Sequence, residues 1–220
     1  MEKSVEAYLE ELMMRYPSLE REKQHIAEAY SILETCYASE GKLLIAGNGG
    51  SAADAEHIVG ELMKGFVRPR KVGAEFSEKM VSVDRESGRE LSEKLQGALP
   101  AIALSGHVAL STAYLNDVDP LLGFAQQAYG YGRAGDVFLG ISTSGNSRNI
   151  LYACTVARAK GMKVIGLTGG SGGKLKDMAD VSVIVPEKET FKIQELHLPV
   201  YHALCLMLEE RFFGVQENHI

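Results

Sequence analysis

Apolar residues follow two different spacings along the chain, and the change of spacing marks the predicted elements. Short continuous apolar runs predict buried strands at residues 42–46, 100–104, 137–141, 163–167 and 181–185. Apolar residues three and four apart predict amphipathic helices at residues 3–15, 20–39, 51–64, 107–115, 120–130, 147–160 and 191–212. Strands that alternate with helices indicate an α/β fold, a doubly wound parallel sheet with helices on both faces.

Two regions stand apart from this alternation. Residues 67–98 are charged, contain few apolar residues and lack a sustained period, so we expect a flexible insertion with one short helix near 88–97. Residues 1–40 form a helical segment that precedes the sheet, and its helices cannot all bury their apolar faces on it. We therefore expect these helices to pack with copies of themselves and give a tetramer. The chain is predicted to be a single domain over residues 1–220.

Composition narrows the possible functions. The chain has 220 residues, 45% of them hydrophobic, which suffices for one core. A net charge of −6 argues against nucleic acid as a direct partner. No apolar run approaches the roughly 20 residues of a membrane span, and the N-terminus has no signal-peptide pattern. We therefore expect a cytoplasmic protein without a membrane partner, in which Cys36, Cys154 and Cys205 are reduced core thiols.

A glycine-rich turn connects the first strand to the next helix. Gly47, Gly49 and Gly50 permit positive φ and let backbone amides approach a ligand. Ser51 and Asp54 match the S-x-x-D capping box that opens a helix. Because a helix N-terminus presents unpaired N–H groups and partial positive charge, the turn predicts a phosphate site.

The glycine-rich turn is compatible with two other interpretations. Gly47, Gly49 and Ala52 match the dinucleotide pattern G-x-G-x-x-A, which requires an acidic residue about 20 positions further on, at the end of the next strand. That region is the polar segment 67–98, and the next strand begins only near Pro100, so a dinucleotide is disfavoured. A tight turn with a purely structural role remains open.

A second polar turn follows the strand at 137–141. It supplies four hydroxyl groups, from Ser142, Thr143, Ser144 and Ser147. Hydroxyls and backbone amides can bind phosphate oxygens, whereas capping of the helix by Ser144 would use one hydroxyl only. Both turns lie at the carboxyl ends of strands, where such sheets bind ligands. Together they predict a phosphorylated substrate.

Two helices carry candidate acid–base or metal-binding groups. His57 and Glu61 are four residues apart and share a helix face, so they could ligate a metal or place a carboxylate base beside an imidazole. A solvated pair is the alternative. Gln194 and His202 are eight residues apart, about 80° on a helical wheel, and can point into one pocket. A lone His202 would more often be structural.

The last predicted helix also contains a proline and a second histidine. Pro199 removes a backbone donor and predicts a bend there. His197 is predicted to point away from the pocket, at the surface or the edge of the core.

Four segments together resemble the phosphoheptose isomerases of the SIS (sugar isomerase) fold. They are GNGGSAADAEHIVGEL, LNDVDP, GDVFLGISTSGNS and KIQELHLPVYH. The resemblance implies a five-stranded parallel sheet flanked by helices, and a homotetramer with sites between subunits. It also implies interconversion of sedoheptulose 7-phosphate and D-glycero-D-manno-heptose 7-phosphate by proton transfer through an enediol.

The resemblance also implies residue roles. Glu61 and His202 would be the catalytic acid–base pair, and one zinc ion per subunit would be held by His57, Glu61, Gln194 and His202. The substrate would contact Asn48, Gly49, Gly50, Ser51, Glu61, Asn116, Asp117, Ser142, Thr143, Ser144, Ser147 and Gln194, with the four hydroxyl residues holding its phosphate.

The chain departs from the family pattern at three places. Gly65 and Phe66 stand where a basic residue is usual, Phe191 stands where an acidic residue is frequent, and segment 67–98 is longer than in the best-known members. One alternative is a non-catalytic phosphosugar-binding protein of the same fold, such as the relative that associates with the bacterial replication initiator and lacks a histidine matching His202. Another is a sugar-phosphate sensor. Retention of His202, with the pair on the earlier helix, favours an enzyme.

Overall fold

The computed structural model describes residues 1–214, and the remainder of the predicted 1–220 domain, residues 215–220, lies outside the described residues. Within that part the strands form one parallel sheet in the order β2-β1-β3-β4-β5. Their bounds are β1 Leu43–Ala46, β2 Ala101–Ala103, β3 Val137–Ile141, β4 Lys163–Gly169 and β5 Val181–Val185. The predicted five-stranded α/β sheet is confirmed.

Ten α-helices surround the sheet in residues 1–214. They are α1 Lys3–Arg15, α2 Lys23–Ala38, α3 Gly50–Met63, α4 Ala74–Val83, α5 Arg85–Lys94, α6 Val108–Asp117, α7 Gly123–Tyr131, α8 Arg148–Ala159, α9 Leu175–Met178 and α10 Thr190–Phe213. A short 3-10 helix, Pro17–Glu22, precedes α2, which therefore begins later than predicted. No helix among residues 1–214 is long and apolar enough to cross a membrane.

Alternate residues of each strand face opposite sides of the sheet. In β1, Leu43 and Ile45 join the larger core, which also receives side chains from α1, α2, α3 and α10. Leu44 and Ala46 join the smaller core, formed with α8 and α9. Because helices cover both faces, the strands are continuous apolar runs, which explains why the sequence shows them clearly.

The N-terminal helices bury their apolar faces within the same chain. Val5, Leu9, Leu12 and Met13 of α1 are buried, and α1 packs against α10. The apolar face of α2 is buried as well, since α2 contacts the sheet and α10. The expectation that these faces need other copies is therefore wrong, because α10 provides a surface that the sheet alone does not. The tetramer stays a prediction.

Segment 67–98 contains two helices: α5 corresponds to the predicted short helix near 88–97 but begins and ends three residues earlier, and α4 was not predicted. Helices α4 and α5 pack on each other, and Gly88 allows close approach because a Cβ there would lie 2.5 Å from the backbone carbon of Met80. The Asp84 carboxylate caps α5 by accepting from the Ser87 amide at 2.6 Å. Gly88 is the one buried residue of these two helices, so the hairpin contributes little to the core. Its flexibility stays a prediction.

All three cysteines are free and buried, as expected. Burial raises the pKa of Cys36 to about 11 and that of Cys154 to about 12. Their thiols are therefore protonated at neutral pH and have no nucleophilic role.

Candidate active site

The glycine turn between β1 and α3 is shaped by two kinds of glycine. Gly49 has φ of 56°, which L side chains rarely adopt, whereas Gly47 and Gly50 do not have positive φ. At these two positions glycine allows close approach. A Cβ on Gly47 would lie 2.3 Å from the Ser51 carbonyl oxygen, and one on Gly50 would lie 2.5 Å from Gln194 Nε2. Gln194 of α10 therefore lies directly against the turn.

The predicted capping box at the start of α3 is wrong. The helix begins at Gly50 with Gly49 as N-cap, and no side chain caps it. Ser51 is buried inside the first turn and its amide donates to the Asn48 carbonyl at 3.1 Å. The reason is the positive φ of Gly49, which ends the turn before Ser51 can occupy the N-cap. The uncapped N-terminus and the exposed Asn48 and Gly49 are accessible to a ligand.

The serine-rich turn after β3 is held in a defined shape. Gly145 has φ of 64° and packs on Gly172. A Cβ on Gly145 would lie 1.9 Å from the carbonyl oxygen of Gly172. Ser142 Oγ lies 3.0 Å from Ser147 Oγ. Ser144 accepts from the Asn146 amide at 3.2 Å, while Ser147 is the N-cap of α8 without a side-chain capping bond. Capping by Ser144 is therefore wrong.

The two turns are joined across the edge of the sheet. Strands β1 and β3 are neighbours, so both turns emerge side by side. Asn48 and Asn149 exchange amide hydrogen bonds of 3.0 Å and 2.8 Å, which connect the glycine turn to the first residues of α8. The structure therefore places the two predicted phosphate-binding turns together.

Helices α3 and α10 bring three titratable side chains into one cluster. His57 Nε2 lies 3.2 Å from Glu61 Oε1 and 3.4 Å from His202 Nε2. The Glu61 carboxylate is mostly buried and its second oxygen lies 3.2 Å from Lys64 Nζ. Burial, followed by the neighbouring His57, lowers the pKa of His202, so its imidazole is neutral at pH 7. A carboxylate beside a neutral imidazole is suited to proton transfer.

Sequence reasoning missed one residue of this cluster, Tyr201. Its hydroxyl donates to Asp54 Oδ1 at 3.3 Å and lies 3.0 Å from His57 Nδ1. Burial raises the pKa of Tyr201 well above its usual range, so the phenol keeps its proton. The signal was its spacing from Gln194, because seven residues place the two side chains about 20° apart on a helical wheel.

The rest of α10 differs in part from expectation. His197 is fully buried, with Nε2 3.2 Å from the Thr168 carbonyl oxygen, so the expected place at the surface or core edge is wrong. Burial lowers the pKa of His197 to about 4. The helix continues from Thr190 to Phe213 through Pro199, and the predicted bend stays a prediction.

Asn116 and Asp117 end α6, and their side chains bond to each other at 2.8 Å. Both are exposed. Within residues 1–214 the structure does not join them to the cluster, and their contact with sugar hydroxyls stays a prediction.

The donor set fits a metal ion in part. Ligands on one tetrahedral zinc ion, at bonds of about 2.0–2.2 Å, lie roughly 3.3 Å apart, which matches both distances from His57. However, residues 1–214 contain no group of three or more His, Cys, Asp and Glu that could hold a metal. Gln194, the fourth predicted donor, lies against Gly50. The structure therefore shows suitable pairs of donors, and a zinc site stays a prediction.

Comparisons with known proteins agree with this geometry. The SIS domain family profile matches residues 7–77 and 91–169. A phosphoheptose isomerase of Nitratiruptor sp. is 39% identical over 188 residues, which cover 86% of this chain and 87% of the relative. One of Leptospira biflexa is 39% identical over 191 residues, covering 87% and 86%.

Solved structures extend the likeness to three dimensions. A phosphoheptose isomerase from Francisella tularensis superposes with a TM-score of 0.73 at 33% identity, covering 94% of this chain and 97% of that chain. Another, from Neisseria gonorrhoeae, has a TM-score of 0.71 at 33% identity, covering 94% and 98%. The chain belongs to the phosphoheptose isomerase family of SIS-domain enzymes.

Proposed function

We propose that the protein interconverts sedoheptulose 7-phosphate and D-glycero-D-manno-heptose 7-phosphate. The observation that carries the proposal is the cluster around His57. Its Nε2 atom lies 3.2 Å from Glu61 Oε1 and 3.4 Å from His202 Nε2. This cluster adjoins the glycine turn, since Gln194 of the same α10 lies against Gly50. Family membership supports the choice of a seven-carbon sugar phosphate.

The two turns would bind the substrate. The hydroxyls of Ser142, Thr143, Ser144 and Ser147, together with the N-terminus of α8, supply donors for phosphate oxygens without a fixed cation. Asn48 and the exposed glycines would contact the sugar chain. Because the phosphate is fixed at the serine-rich turn, the other end of an open-chain sugar would reach the cluster between α3 and α10.

Two proton movements complete an aldose–ketose exchange. Starting from the ketose, the Glu61 carboxylate removes the proton from C1, the C1–H electron pair forms a double bond to C2, and the C2 carbonyl electrons move onto its oxygen, which gives an enediolate. The neutral His202 imidazole relays a proton between the two oxygens. Glu61 then returns its proton to C2, so that C1 becomes the aldehyde and neither group is consumed.

A zinc ion, one per subunit, would be held by His57, Glu61, Gln194 and His202. When bound, such an ion polarises a carbonyl and stabilises charge on sugar oxygens. The chain's own residues would still bind the phosphate, orient the sugar and move the proton.

The test is turnover of sedoheptulose 7-phosphate, followed by NMR detection of the aldose product. Conversion by the wild-type protein, and a much slower rate with fructose 6-phosphate, would support the proposal. Saturable binding of sedoheptulose 7-phosphate without product would identify a phosphosugar-binding protein or sensor instead. A faster rate with fructose 6-phosphate would contradict the proposed substrate.

A further inference from the structure

The Tyr201 hydroxyl connects two polar residues of α3. It lies 3.0 Å from His57 Nδ1 and 3.3 Å from Asp54 Oδ1. The tyrosine is 2% exposed, and its ring packs edge-on against the rings of both His57 and His202, at 5.5 Å and 5.0 Å. The ring and its phenolic oxygen are therefore held in place, and only the direction of the hydroxyl hydrogen remains to be determined.

The acceptors around this hydroxyl determine where its proton points. The Asp54 carboxylate can only accept, and its Oδ2 atom is buried without a partner among the described residues. In the same part of the chain, Tyr201 is the one donor that reaches its Oδ1 atom. Leaving a buried carboxylate without a donor costs more free energy than leaving a neutral acceptor unpaired. The Tyr201 proton therefore points at Asp54, and the phenolic oxygen accepts from His57 Nδ1–H.

This arrangement has a consequence at the opposite nitrogen of His57. A neutral imidazole carries one proton, so with Nδ1 protonated the Nε2 atom presents a lone pair towards His202 Nε2, 3.4 Å away. We propose that Tyr201, anchored by Asp54, is a positioning residue that fixes this tautomer. The inference rests on the proposed function, for which it explains how His202, the proposed proton relay, is held by an acceptor on His57.

The other tautomer of His57 would remove the acceptor that faces His202. With Nε2 protonated, His57 could no longer accept from His202 Nε2, which lies 3.4 Å away. It would also lose the lone pair with which His57 could ligate a metal. Tyr201 thereby keeps His57 as an acceptor at the cluster.

The experiment is NMR of ¹⁵N-histidine-labelled protein after removal of metal with a chelator, at a pH well above the pKa of free imidazole. The signal of His57 is assigned by its loss in His57→Asn. We expect a proton on Nδ1 in the wild type and a shift towards Nε2–H in Tyr201→Phe. The matched control is Tyr37→Phe, which removes another largely buried phenol, bonded to the Pro100 carbonyl at 3.3 Å, and should leave the signal unchanged.

Kinetics give the second readout. Tyr201→Phe should lower kcat roughly 10–100-fold with little change in KM, as replacement of groups that orient a ligand residue typically does. A proton on His57 Nε2 in the wild type, an unchanged tautomer in Tyr201→Phe, or unchanged kcat in that variant would each overturn the inference. Failure of the proposed function is distinguishable, because the wild type would then lack turnover whatever its His57 tautomer.

Discussion

Replacing Glu209 by glutamine removes one charge from an ion pair that lies inside the protein. The side chains of Arg70 and Glu209 are both 0% exposed, and Arg70 Nε donates to Glu209 Oε1 at 2.8 Å. The same carboxylate accepts from the amides of Phe66 and Val67, at 2.8 Å and 2.9 Å. A glutamine amide has one acceptor oxygen instead of two, and it carries no charge. The substitution therefore leaves a buried guanidinium without its counter-charge.

The expected loss follows from this burial. Removing one partner of a buried pair costs about 3–5 kcal/mol of unfolding free energy. For a chain of this size that corresponds to a fall in Tm of roughly 6–20 °C. Arg70 also donates to the carbonyls of Leu62 and Glu61, at 2.7 Å and 3.0 Å, so the end of α3 that carries the proposed base should loosen as well.

The assay is thermal and urea unfolding followed by circular dichroism. The matched control is Glu75→Gln, the same chemical change in an exposed pair with Lys79 on the α4 helix, which should leave the unfolding midpoint unchanged. The reasoning is refuted if Glu209→Gln loses less than about 1 kcal/mol, the range of surface pairs.

Three further predictions concern pH, metal and assembly. Burial raises the pKa of Glu209, but the Phe66 and Val67 amides and Arg70 outweigh it and hold the pKa below its usual range. The stabilisation by Glu209 is therefore present above the ordinary glutamate pKa and lost as pH falls through the lower folded value. The free energy of unfolding should consequently fall less steeply with decreasing pH in Glu209→Gln than in the wild type. Equal slopes would contradict this. Dialysis against a chelator should lower turnover without unfolding the chain, and added zinc should restore turnover. If metal analysis finds no zinc and chelation leaves turnover unchanged, the four predicted zinc ligands are only an acid–base and hydrogen-bonding cluster. Light scattering at micromolar concentration should give the mass of a tetramer, whereas a monomer mass would rule it out.

The sheet could be predicted because its strands are covered on both faces. Strands β3 and β5 begin and end where the apolar runs at 137–141 and 181–185 do. The hairpin of α4 and α5 was not predicted, because its few apolar residues, such as Phe76, Met80 and Val83, form no buried face, and caps, charge pairs and one close glycine contact leave little signal in the sequence. Periodicity identified the apolar face of α1 and the helix α10, but not that α10 covers this face.

The site was predictable where chemistry lies on one element. His57 and Glu61 share a face of α3, and the structure brings His202 to them. Tyr201 was missed because its role depends on Asp54 and His57 across an interhelical contact, which spacing along α10 does not reveal. The prediction that Ser51 belongs to a capping box is wrong because the φ of Gly49 decides where α3 begins.

The most direct test of the account is the turnover of Glu61→Gln. Glutamine keeps the size of the side chain but cannot take a proton, so we expect isomerisation of sedoheptulose 7-phosphate to be abolished. Circular dichroism and phosphate binding should match the wild type, and His202→Asn should behave in the same way. If Glu61→Gln retains more than a small residual fraction of wild-type turnover, Glu61 is not the base and the proposed mechanism is wrong.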